Sequence, residues 1–187
     1  RADLSAHVRR CPVVPIANCR RRLNTAPPVK PPDHDSFPPG PLHHEAPGIE
    51  FMVEDAPDFA LADAEDLIGW IERVATVHEY RIVQLTYIFC SDDYLHRMNV
   101  EYLNHDTLTD VITFDNADDS DILEGDIFIS TERVADNAKS LGVSFRDELH
   151  RVMIHGVLHL LGYHDKDLLS QTAMRKKEDY CLSLRTF

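Results

Sequence analysis

Apolar and polar positions alternate from Ile49 to Glu54, the period of a half-buried strand. From Ala62 to His78 the period changes: Leu67, Ile68, Ile71, Val74 and Ala75 recur at helical spacing, with acidic residues in the first turn where the helix dipole favours them. Gln84 to Cys90, rich in β-branched and aromatic residues, returns to strand character. Ser91 then N-caps a helix with Asp92 and Asp93 in its first turn and Leu95, Met98 and Tyr102 on one side, ending at Asn104-His105-Asp106. Thr109–Phe114 and Gly125–Ser130 read as strands joined by the acidic loop Asp115–Glu124, a length that suits a hairpin better than a helical crossover. Thr131–Leu141 is helical and stopped by Gly142. Ser144 with Asp147 resembles a capping box and starts a helix with Leu149, Val152, Met153, Gly156 and Leu160 at core-facing spacing. A last helix runs from about Leu168 to Leu184, with Lys176 and Lys177 on its polar side. The pattern predicts one α+β domain: a small mixed sheet of about four strands packed with helices.

Composition divides the chain. The first 49 residues hold most of the prolines and carry 7 Lys/Arg against 4 Asp/Glu, whereas the remainder carries 12 against 28, so a net charge of +3 precedes one of −16. Residues 1–48 are expected to be a Pro-rich, disordered leader and residues 49–187 the folded domain. The prolines break any long amphipathic helix, and no apolar run of signal-peptide length is present, so targeting is the lesser reading of the leader. No stretch approaches the roughly 20 apolar residues that span a bilayer, so no membrane association is expected. Cys11, Cys19, Cys90 and Cys181 form no CxxC pair, a usage that fits a reducing, cytoplasmic compartment.

The candidate chemistry is concentrated in His155-Gly156-Val157-Leu158-His159-Leu160-Leu161-Gly162-Tyr163-His164-Asp165. Histidines four apart on a helix lie one turn above each other, so both rings can reach one metal ion. Gly162 can take the left-handed conformation that ends a helix and folds the chain back, delivering His164 and Asp165 towards the same space at the C-terminal end of this central helix. No cysteine lies nearby. Two histidines with a carboxylate or a third histidine point to an open catalytic centre rather than a closed structural one. The HExxH peptidase pattern needs a glutamate after the first histidine, and Gly156 stands there without a proton acceptor. Metal-activated water attacking a centre such as a phosphodiester is the remaining route.

These residues resemble the YbeY family of metal-dependent endoribonucleases, whose hallmark reads HGxLHLxGxDH. Met98-Asn99, Tyr102, Asp106, Thr109-Asp110-Val111, Phe114, Gly125-Asp126-Ile127 and Ser130 are similar to the family's other signatures. The resemblance covers about Ile49 to Tyr180 and implies a zinc-dependent endoribonuclease, one ion per chain, acting on ribosomal RNA in its maturation and in ribosome quality control. The family's third ligand is usually a histidine ten residues after the first. That position here is Asp165, with His164 displaced by one, so the resemblance assigns the metal to His155, His159 and Asp165. It leaves His164 and Asp110 as catalytic candidates, with Thr109, Asp110 and Asp126 lining or bracing the site. An arginine that the family commonly places after the Tyr102 position is Leu103 here.

Two other readings compete: a non-catalytic ribosome-assembly factor with a structural zinc, and a metal-dependent hydrolase of another substrate. The acidity bears on all three, because RNA binding draws on phosphate neutralisation. A basic groove from Arg133, Lys139, Arg146 and Arg151, or a ribosomal protein partner, is expected to offset it.

Overall fold

The computed structural model describes residues 48–187 together with the backbone of Val13–Pro15. The rest of the expected leader lies outside the described residues. In chain order the elements are β1 (Val13–Pro15), β2 (Gly48–Glu54), α1 (Ala64–Val77), β3 (Arg81–Cys90), α2 (Asp92–Leu103), β4 (Val111–Asp115), β5 (Ile122–Ser130), α3 (Thr131–Leu141), α4 (Phe145–Leu160) and α5 (Leu168–Ser183).

The sheet is mixed, in the order β1-β4-β5-β3-β2. β4 and β5 form the expected antiparallel hairpin, with Val111 opposite Ile129. β2 pairs parallel with β3, and β3 parallel with β5. The four strands expected from the sequence, β2 to β5, make up the body of the sheet, and Val13–Pro15 adds a short parallel strand beside β4 as a fifth. An edge is where a proline is tolerated in a strand. β5 begins at Ile122 rather than Gly125, so the acidic loop is shorter than its composition suggested.

Strand alternation sends side chains to two faces. On one face Leu85, Tyr87, Phe89, Leu123, Ile127 and Ile129 join α1 and α4 in the main core. On the other, Cys90, Ile112, Phe114 and Phe128 pack with Leu95 and Met98 of α2 in a smaller cluster. The Trp70 indole N–H donates to the Cys181 carbonyl at 2.8 Å, tying α1 to α5.

α4 is the central helix: every residue from Val152 to Leu160 is buried. Gly156 is what lets it lie against the sheet, since a Cβ there would meet Ile127 Cγ2 at 2.8 Å. Its start differs from the expected capping box. The Ser144 hydroxyl accepts from the Asp147 N–H at 3.0 Å, but the Asp147 carboxylate accepts from that same hydroxyl at 2.7 Å. Asp is one methylene shorter than the Glu that reaches back to the cap backbone in a true box. A reciprocal box forms instead at α5, between Asp167 and Ser170.

Candidate metal centre

The site is built on the last two turns of α4 and the turn after it. Gly162 takes φ 86° as expected, and Tyr163 N–H returns to the Leu158 carbonyl at 2.9 Å, closing the helix. The reversal brings Asp165 back over the helix, where Gln171 of α5 donates to its carbonyl at 3.0 Å. His155, His159 and Asp165 are all buried, and one donor atom from each lies within 4.8 Å of the others.

The two His Nε2 atoms are 3.0 Å apart, and Asp165 oxygens lie 3.7 Å from His155 Nε2 and 4.0 Å from His159 Nε2. Donor atoms around a four-coordinate zinc with bonds of roughly 2.0–2.1 Å stand about 3.3 Å apart. The three separations bracket that spacing, so the set fits a small divalent cation without large rearrangement.

The hydrogen bonds behind the rings assign their tautomers. His159 Nδ1 faces the Tyr163 carbonyl at 2.9 Å, and a carbonyl only accepts, so this nitrogen carries the proton. His155 Nδ1 faces Glu178 Oε1 at 2.8 Å and donates to it. With Nδ1 as the donor behind each ring, the two Nε2 atoms face each other inward. Two acceptors 3.0 Å apart need positive charge between them. A proton is a poor source of it at His159: burial, followed by the charge of His155, pushes that ring down to about 3. A metal ion would satisfy both Nε2 atoms, and Asp165 would add the negative charge that lowers the cost of burying it.

Glu178 was not evident in the sequence. It is buried, and its second oxygen accepts from Arg151 at 3.0 Å and from Arg175 at 3.3 Å. The signal was its place on the inward stripe of α5, between Met174 and Cys181, where a carboxylate must find donors. Arg151, one turn before His155 on α4, supplies one of them.

The other expected residues are placed as follows. His164 is exposed beside Asp165. Asp110 is buried, accepting from the Asn137 side chain at 3.0 Å and, through its carbonyl, from Ser130 N–H at 3.0 Å, which joins β4 to α3 and β5. Thr109 donates to the Val111 carbonyl at 3.3 Å. Asp126 accepts from Asn116 at 3.2 Å and alternates with Ile127, so it stands on the sheet face away from α4 rather than lining the centre. Leu103 packs on the small cluster under α2. Of the anticipated basic groove, Arg133 and Lys139 do line one groove on α3, but with Asp136 beside them, and the arginine charge is offset: Arg133 pairs with Asp92 and Asp136, Arg146 with Asp63, and Arg151 with Glu178 and Asp179.

A family model described as Endoribonuclease YbeY matches residues 55–185. A protein of Amoebophilus asiaticus named Endoribonuclease YbeY is 51% identical over 138 residues, which cover 73% of this chain and 93% of that protein. One of Cytophaga hutchinsonii with the same name is 48% identical over 139 residues, covering 74% and 96%. The solution structure of TM1509 from Thermotoga maritima shares the fold, with a TM-score of 0.54 at 25% identity over 73% of this chain and 87% of its own. On the extent of these matches, the chain belongs to the YbeY family of endoribonucleases.

Proposed function

We propose that this protein is a zinc-dependent endoribonuclease that cleaves phosphodiesters of ribosomal RNA during its maturation and in ribosome quality control. The observation that carries the reading is the convergence of His155, His159 and Asp165 at one buried point with both histidine tautomers fixed from behind. Three protein ligands leave a coordination position for a small molecule. Relatives that bear the endoribonuclease name cover most of the chain and supply the reaction class.

His155, His159 and Asp165 would hold the zinc ion, which would supply Lewis acidity and a water of near-neutral pKa. The chain's own groups do the remaining work. Glu178 keeps the proton on His155 Nδ1 and the Tyr163 carbonyl keeps it on His159 Nδ1, so both Nε2 atoms stay available as donors. Burial of the three ligands limits competition from bulk water. His164, on the surface beside Asp165, is the group assigned to proton exchange with the RNA oxygens. Asp110, held by Asn137, is assigned to bracing the neighbouring strand end.

Among the described residues no helix is long and apolar enough to cross a membrane. Cys90 and Cys181 are buried free thiols that burial pushes up to about 12 and about 11, which suits the cytoplasm, where the ribosome is the partner. A basic ribosomal protein would complement the acidic domain.

The test is incubation of zinc-loaded protein with precursor ribosomal RNA and with intact ribosomes, beside His155→Ala. Metal-dependent cleavage lost in the variant is expected. An intact substrate throughout, together with unfolding of the domain on chelation, would favour the assembly-factor reading instead.

A further inference from the structure

The domain's positive charge is not distributed evenly with respect to its partners. Arg97, Arg133, Arg146, Arg151, Arg175 and Arg185 each pair with a carboxylate at 2.7–3.8 Å. These six guanidiniums are already paired and offer a polyanion little net attraction, whereas Arg73 donates to the Leu184 carbonyl and the Thr186 hydroxyl and Arg81 is exposed at the start of β3. The lysines differ. After Lys30 the sequence holds only four, and three of them, Lys166, Lys176 and Lys177, lie between Asp165 and Glu178. None of the three is paired with a carboxylate among the described residues. The carboxylates on the same stretch are turned away from them: Glu178 faces inward to His155, Asp179 pairs with Arg151, and Asp167 caps α5.

Two tyrosines accompany the lysines. Tyr163, Ala173, Lys176, Lys177 and Tyr180 line one groove on the flank of α5. Tyr180 is 45% exposed, and the Lys177 ammonium stands over the Tyr163 ring at 5.2 Å from its centroid. The chain links the groove to the metal centre at two points. The Tyr163 carbonyl holds His159, and Lys177 precedes the glutamate that holds His155.

Flat aromatic faces beside unpaired cations are the arrangement that holds single-stranded nucleic acid, with bases stacked on rings and phosphates on ammonium groups. We infer that the Tyr163–Lys176–Lys177–Tyr180 groove binds the single-stranded RNA segment adjoining the scissile phosphodiester. Lys176 and Lys177 take its phosphates and Tyr180 stacks a base. This rests on the reading of the chain as an RNA-cleaving enzyme. It also answers the acidity of the domain: short-range contacts at a few free cations replace a broad basic surface.

The test uses the full zinc-loaded chain and a fluorescein-labelled, mixed-sequence single-stranded RNA oligonucleotide, with affinity read by anisotropy across a salt series. Each phosphate contact contributes about 0.7 to the slope of log affinity against log salt for a single strand. The Lys176→Ala/Lys177→Ala double variant is therefore expected to flatten the slope by about 1.4, with recovery in the Lys176→Arg/Lys177→Arg pair. Tyr180→Ala is expected to weaken binding about 5- to 150-fold, the range for loss of one stacked base. Lys139→Ala, at an exposed position of α3, should change neither quantity, and a poly-glutamate peptide should not compete. An unchanged slope in the alanine pair, or equal competition by the peptide, overturns the inference. If the wild type still cleaves RNA in that case, the endoribonuclease reading stands without this groove. If the wild type neither binds nor cleaves RNA, both fall.

Discussion

Glu178 accepts the Nδ1–H of His155 at 2.8 Å, across 23 residues of sequence and from a different helix. Its other oxygen is held by Arg151 and Arg175, so its position is fixed before any metal arrives. The carboxylate sets which nitrogen of His155 carries the proton and thereby aims the other one at Asp165 and His159.

Removing that carboxylate should loosen the metal more than the fold. Glu178→Ala is expected to lower zinc affinity by about 10- to 100-fold, measured by competition with a chromophoric chelator. An unchanged affinity would mean that His155 is oriented by packing alone.

Gly156 bears on both fold and chemistry. Its missing side chain faces Ile127 and Thr113 of the sheet, so Gly156→Ala should destabilise the domain by about 1–3 kcal/mol in urea titrations. Gly156→Glu, which recreates the peptidase pattern in sequence, should give no peptidase activity, because its side chain starts into the sheet rather than towards the metal. Peptidase activity in that variant would contradict the packing described for α4.

His150 makes stability depend on pH. It is buried against Trp70, and Arg185 donates to its Nδ1 at 2.9 Å. Burial first, then the charge of Arg185, pushes it down to about 4 from the ordinary 6.5. The unfolded chain therefore binds a proton at this residue more readily than the native one between those values. The neutral ring's contribution is complete above about pH 6.5 and is lost as pH falls towards about 4. Urea midpoints of the wild type should fall more steeply over that window than those of His150→Gln. Parallel profiles would refute the assignment.

Much of the centre was legible in the sequence because its signals are local. The i, i+4 histidines, the helix-ending Gly162 and the position of Asp165 all fall within eleven residues. Ser91 was equally readable as a cap, and it does accept from Tyr94 N–H at 3.1 Å. What escaped depends on tertiary neighbours. Glu178 looks like any helix acid until α5 is laid against α4. Arg146 looks available until the fold brings Asp63 to it across 83 residues. The edge strand at Val13–Pro15 sits in a proline-rich context whose composition argues against regular structure. Asp126 departs from the expectation for a different reason: it lies next to a core residue in sequence, and one step along a strand changes the face.

The ligand set is tested most directly by the zinc content of purified protein, measured by atomic absorption for the wild type, Asp165→Ala and His164→Ala. One zinc per chain in the wild type and in His164→Ala, with loss in Asp165→Ala, is the expected result. Zinc retained by Asp165→Ala but lost from His164→Ala would contradict the two-histidine, one-aspartate centre.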